Sequence, residues 1–181
     1  TSGKIIRDNI WGDLEQDTYR RDFTVNALYY CPISQKIVGH KDGLKHIHEK
    51  SIVSIGDPVK RFSEDPVRSL RAIRFSNKLN FKIDKDIKEA IYEKGHLLSD
   101  ISNARLFDEF CKIFLSGMAE KNFNKLSSYG LSKYLISTDS ERSEFTRNLI
   151  VESLRNTDKR LINGQSITCL LYTSDAADDT C

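Results

Sequence analysis

Arg20-Arg21-Asp22-Phe23-Thr24-Val25-Asn26-Ala27-Leu28, taken with Glu64-Asp65-Pro66-Val67-Arg68-Ser69-Leu70-Arg71-Ala72-Ile73-Arg74-Phe75 further along, decides how the whole chain is read. Each block sets a carboxylate beside guanidinium groups inside an otherwise apolar pattern. Such a set offers a nucleotide both hydrogen-bond acceptors and fixed positive charge. The second block predicts a long helix, with Val67, Leu70, Ile73 and, beyond them, Phe75 and Leu79 as its apolar stripe. Asp65-Pro66 supplies a cap followed by proline at the first helical position. On that helix Asp65 and Arg68 are three apart and share a face, and Arg71 continues the row. A carboxylate accepts from an exocyclic amino group while a guanidinium donates to the ring nitrogen beside it. Adenine and cytosine present that edge; guanine and uracil do not. Arg71 and Arg74 then stand within reach of triphosphate or RNA phosphate. A purely structural reading of the same residues is a helix cap with a surface ion pair.

The first block predicts a shorter helix, with Phe23, Ala27 and Tyr30 at helical spacing and Cys31-Pro32 ending it. Arg21 and Asp22 then open that helix, where the positive end of its dipole favours an anion. In that setting Asp22 accepts from ribose hydroxyls while Arg20 or Arg21 takes phosphate; the structural alternative is again a cap with solvated arginines.

Outward from the two blocks, residues 4 to 17 read as loop and short strand. Ile37-Val38 and Ser51 to Ile55 read as strands, with a turn over 39–43 and one or two helical turns over 44–49 between them. Up to Gly56 this is a small α/β unit. Beyond Gly56 only helices are expected: one opened by Asp57-Pro58, the long helix of the second block, and one capped by Asp84 and running to about Leu98. Asn103 to Leu115, Met118 to Leu126 and Glu141 to Leu154 follow, with a polar loop over 137–140. The fold class is therefore α+β, mainly α.

The 181 residues carry 28 Lys or Arg against 26 Asp or Glu, a net charge of +2 that by itself argues nothing about partners. The distribution argues more: Lys60, Arg61, Arg68, Arg71, Arg74, Lys78 and Lys82 face only Glu64 and Asp65 across one segment. A clustered basic face is the footprint of a polyanion binder, and also of an ordinary solvated helix. No apolar run approaches membrane-spanning length and no leader opens the chain, so a cytoplasmic protein is expected. Cys31, Cys111, Cys169 and Cys181 lack metal-ligand spacing and read as reduced thiols. His46 and His48 are two apart and point to different faces, and Asp84-Lys85-Asp86 reads as a helix cap, so no metal ligands are assigned. The chain opens on Thr1-Ser2-Gly3 without methionine and is read as a piece of a longer polypeptide. The stretch 168–181 is acidic, resembles translated adapter read-through, and is read as a non-native tail.

Arg-Arg-Asp-Phe-Thr-x-Asn-Ala-Leu followed by Glu-Asp-Pro-x-Arg-x-Leu-Arg-Ala-x-Arg-Phe resembles the nucleotide-binding signature of the bacterial poly(A) polymerase and CCA-adding tRNA nucleotidyltransferase superfamily. Arg7-Asp8-Asn9-Ile10-Trp11-Gly12, Tyr29-Tyr30 and Asn103-Ala104-Arg105-Leu106-Phe107-Asp108-Glu109 look like its poly(A) polymerase branch. The resemblance implies the C-terminal part of a nucleotidyltransferase head over residues 1–56. An all-helical neck for nucleotide and RNA is implied over 57–117, and the start of a helical body over 118–167. It implies transfer of AMP from ATP to RNA 3′ ends with Mg²⁺, whose Asp-x-Asp ligands belong upstream of the first block, so this piece is expected to be inactive alone. By the same resemblance Asp22 belongs to the catalytic site, and Arg20, Arg21, Asp65, Arg68, Arg71 and Arg74 to the nucleotide pocket. The loop Val38-Gly39-His40-Lys41-Asp42-Gly43-Leu44 departs from the family pattern, with His40 in place of a glycine. CCA addition to tRNA and a non-catalytic RNA-binding helical module are the alternatives.

Overall fold

The computed structural model describes residues 13–136 and 144–167. The expectations for residues 4–12, for the polar loop at 137–140, for the helix start at 141–143 and for the tail at 168–181 lie outside the described residues. The architecture is α+β and dominated by helices.

The described residues open with a helix, α1 (Leu14–Arg20), where loop and strand were expected. Asp13 caps it by accepting from the Gln16 N–H at 2.7 Å, and acids in its first turn with Arg20 in its last complement the dipole. Those end effects, rather than an apolar stripe, select the helix: Thr18 is its one buried residue. The helix expected over residues 23–31 does not form. Thr24–Asn26 is a single 3-10 turn, and Leu28–Cys31 is strand β1, paired antiparallel with β2 (Lys36–Gly39). The backbone ahead of it is already committed elsewhere, since Thr24 N–H donates to Val53 O and Ile55 N–H to Asp22 O. Tyr29 and Tyr30 then favour a pleated surface over a helix. Gly39 ends β2 at the open end of the hairpin at φ +137°, with the Ala27 carbonyl oxygen only 2.1 Å from where a Cβ would sit. A side chain there is excluded both by conformation and by space.

α2 (Gly43–His48), β3 (Ser51–Ile52), α3 (Pro58–Glu64) and α4 (Val67–Leu79) follow. Val67, Leu70 and Ile73 are buried as expected, but Leu79 is exposed and the stripe ends instead on Ser76 and Asn77. The Asn77 amide donates to Asn122 Oδ1 at 2.8 Å, and Asn122 donates in turn to the Ile113 carbonyl at 2.8 Å. A satisfied polar network takes the place of the last apolar contact.

The chain beyond Gly56 is not purely helical. Asn80, in the left-handed region at φ 55°, stops α4 and turns the chain into β4 (Lys82–Ile83), which pairs parallel with β3. Lys82 N–H reaches Lys50 O at 2.8 Å and Asp84 N–H reaches Ile52 O at 3.1 Å. Asp84 then caps α5 (Lys85–Lys94), which passes into a 3-10 stretch that buries the Leu98 side chain. α6 (Asn103–Phe114), α7 (Ala119–Ser128) and α8 (Glu144–Ile162) complete the described chain. α8 runs two turns past Leu154, because Asp158 accepts from the Ala119 and Glu120 N–H groups and Arg155 pairs with Glu120 at 2.6 Å. One apolar core runs from Phe23 and Ile52 through Leu70, Ile73 and Ile91 to Phe114, Phe123 and Leu154.

Candidate nucleotide-binding site

The two blocks meet in one cavity of about 620 Å³ between the end of α1, the start of α4 and one face of α6. Asp22 is 7 % exposed, and both its oxygens are engaged. Oδ1 accepts from its neighbour's Phe23 N–H and from the Asn26 amide, each at 2.9 Å. Oδ2 accepts from Arg71 Nε at 2.6 Å, a pair that joins the blocks across 49 residues. A near-buried carboxylate with three donors has one orientation, and it is this one. Arg21 and Asp22 lie just past the C-terminal end of α1, not at a helix N-terminus. The dipole argument from the sequence therefore does not apply; positive charge at this corner comes from the guanidinium groups alone.

Arg20 and Arg21 line the cavity and are gathered on Asp17, with Arg21 Nη2 at 2.9 Å and the Tyr29 hydroxyl on the same carboxylate. Hydrogen bonds from Tyr29, Arg21 and Arg20 hold the Asp17 carboxyl well below the usual carboxylate range. Asp65 accepts from the Val67 N–H through Oδ1 at 3.2 Å and from Arg105 through Oδ2 at 2.7 Å. It is thus both the helix cap and a cavity wall. Arg68 stands 3.9 Å away through Nε, its Nη1 donating to the Arg61 carbonyl at 3.2 Å. Carboxylate and guanidinium are therefore side by side at the cavity edge, as the spacing predicts.

Arg74 is the exception. It turns behind the cavity wall, 4.5 Å from the Phe75 ring centroid and 3.5 Å from Glu109 Oε2, both ends of that contact being buried. Burial pushes its guanidinium below its ordinary range, with Glu109 acting in the opposite sense. α6 supplies residues that the sequence did not single out for the site: Arg105, Asp108, Glu109 and Lys112 all line the cavity. Their spacing of three and four places them on one face, which in sequence is indistinguishable from a solvated one. A hard dication wants carboxylate oxygens not already matched to cations. Asp22, Asp65 and Glu109 are each paired with Arg or Lys, and Asp108 by itself is too few ligands, so these residues do not fit Mg²⁺, and its ligands are to be sought elsewhere.

Two family descriptions match the chain: the poly A polymerase head domain over residues 4–53, and the probable RNA and SrmB-binding site of polymerase A over residues 80–138. The chain belongs to the superfamily of poly(A) polymerases and CCA-adding tRNA nucleotidyltransferases. Within that superfamily it is 42 % identical over 165 residues to poly(A) polymerase I of Haemophilus influenzae, a match covering 88 % of this chain and 36 % of that protein. The CCA-adding enzyme of Lactococcus lactis is 38 % identical over 123 residues, 68 % of this chain and 31 % of its own length. Among solved structures, the Bacillus stearothermophilus CCA-adding enzyme in complex with CTP superposes with a TM-score of 0.65 at 31 % identity, over 81 % of this chain and 34 % of that one. The chain thus spans about a third of the length of the relatives it matches.

Proposed function

We propose that the cavity binds ATP and serves a template-independent RNA 3′-adenylyltransferase, which transfers AMP from ATP to RNA 3′ ends and releases pyrophosphate. The observation that carries this reading is the Asp22–Arg71 pair at 2.6 Å, which joins the two blocks so that Arg20 and Arg21 line the same cavity as Asp65 and Arg68. In this reading Asp65 accepts from the adenine amino group and Arg68 donates to the neighbouring ring nitrogen. Arg20, Arg21 and Arg71 take the triphosphate, and Asp22 is the catalytic residue, accepting from a sugar hydroxyl. Arg74 acts through its packing on Phe75 rather than by contact. The reading assigns 1–56 to the end of the head, 57–117 to the neck and 118–167 to the start of the body. It places a cytoplasmic protein in RNA polyadenylation, with Mg²⁺ supplying charge neutralisation at the phosphates from ligands outside the described residues.

CCA addition is the second reading. Its support is specific: cytosine presents the same amino and ring-nitrogen edge, and the Bacillus structure named above holds CTP. The breadth of the poly(A) polymerase I match, 88 % of the chain against 68 %, favours the first. The deciding experiment supplies the chain with the metal-binding part of a head domain and Mg²⁺ and offers each labelled nucleotide with a short RNA. Long tails from ATP alone support the first reading, and a stop after C, C and A on tRNA the second. Binding of RNA without any incorporation returns the case to a helical binding module. In the same assay Asp22→Ala is expected to cut turnover by at least about 100-fold with RNA affinity nearly unchanged; equal losses in both would indicate misfolding instead.

A further inference from the structure

Arg61 lies in α3, outside the contacts to nucleotide proposed above, yet its guanidinium reaches the far block. α1 has only seven residues, too few to hold as a helix unaided, and its last carbonyls have no partners within the helix. The Thr18 carbonyl is taken by the Arg21 N–H. The next three, of Tyr19, Arg20 and Arg21, all converge on Arg61 Nη2, at 3.4, 3.1 and 2.6 Å. A cation at that end also meets the negative pole of the helix. The guanidinium is itself held, with Nη1 donating to Glu64 at 3.2 Å, and its side chain is only 17 % exposed. Meanwhile the Arg61 backbone carbonyl accepts from Arg68 Nη1 at 3.2 Å. One residue therefore holds the phosphate-type corner by its side chain and the base-type arginine by its main chain.

We propose that Arg61 is a positioning residue that fixes the Arg20–Arg21 corner against the base-reading helix; its effect on nucleotide rests on the reading given under Proposed function. The two attachments separate on substitution. Removing the side chain frees the end of α1 but leaves Arg68 on the residue 61 carbonyl. Asp22 stays on Arg71 and Asn26, and its own carbonyl still accepts from Ile55. The loss is accordingly one of phosphate affinity, not of base choice.

The test compares the full chain with Arg61→Ala and Arg61→Lys in two measurements. Hydrogen–deuterium exchange without ligand is expected to rise about tenfold over residues 19–21 in Arg61→Ala, with the α4 amides unchanged. Titrations with ATP, CTP, GTP and inorganic triphosphate are expected to show ATP, CTP and triphosphate weakened by one common factor of about ten, the ATP-to-GTP ratio unaltered, and partial recovery in Arg61→Lys. Unchanged exchange over residues 19–21 overturns the proposal, and so does a changed ATP-to-GTP ratio. If Arg61→Ala exchanges everywhere, Arg61→Lys decides, because it must still show a rise confined to residues 19–21. Failure of the unmodified chain to bind ATP would sink the nucleotide reading, while the exchange measurement still judges the hold of Arg61 on α1.

Discussion

Asp65 performs two tasks that one substitution can pull apart. One oxygen caps α4 through the Val67 N–H, and the other faces Arg105 and the cavity. Asparagine can keep the cap but turns a donor toward the cavity, so Asp65→Asn is expected to lower the preference for ATP over GTP by about tenfold with the melting temperature hardly moved. Displacement of a fluorescent ATP analogue by each nucleotide measures it, and an unaltered preference would remove Asp65 from base selection. Asp17 makes a prediction about acid. Its carboxyl titrates below its unfolded value of about 3.9, so the unfolded chain binds the extra proton and stability rises with pH through that window. The contribution is complete above about pH 4 and fades as pH falls below it. Asp17→Asn should therefore lower stability at neutral pH and flatten the acid limb of a urea-stability profile between about pH 5 and 2, the two proteins converging at the acid end. A parallel shift at all pH values would contradict it.

At the level of elements, what was legible in the sequence is what rests on local pattern. α3, α4, α5 and α6 announce themselves by caps and by stripes such as Val67, Leu70 and Ile73, whose burial needs no knowledge of the partner. The β1–β2 hairpin was not legible, because Phe23, Ala27 and Tyr30 fit a helix equally well and the contact that decides, Thr24 N–H to Val53 O, is remote in sequence. β4 was missed for the same reason: two residues cannot show a period, and its partner lies before Gly56. The site divides along the same line. Asp65 and Arg68 could be paired from spacing, whereas Arg105, Lys112 and the position of Asp22 depend on how α6 and α1 are packed. The Asn77–Asn122 pair is another product of packing, and it is testable. Asn77→Ala leaves Asn122 Oδ1 buried without that donor, at a cost of about 1–3 kcal/mol, which scanning calorimetry should register as a melting point lower by about 2–10 °C. A change under a degree would mean that water replaces the lost amide.

Over the whole molecule, the basic run between residues 60 and 82 resolves into two populations. Arg61, Arg68, Arg71 and Arg74 are turned inward onto carboxylates and carbonyls, while Lys60, Lys78 and Lys82 stay exposed. The second group is the part of this run placed to meet RNA phosphate on the outer surface, while Arg68 and Arg71 line the cavity. Changing these three lysines to glutamine together is expected to lower the log–log salt slope for a single-stranded oligoadenylate by about 2, about 0.7 for each phosphate contact, with ATP affinity unchanged. An unchanged slope would place RNA on another face. Among the described residues no helix is long and apolar enough to cross a membrane. The stretch from Lys50 to Ile55 is hydrogen-bonded on one side to Asp22 and Thr24 and on the other to Lys82 and Asp84. The peptide link at Gly56 is therefore not what joins the two halves. A chain nicked there by a protease should elute from a sizing column as one particle, and the halves, expressed as separate polypeptides in one cell, should find each other and assemble.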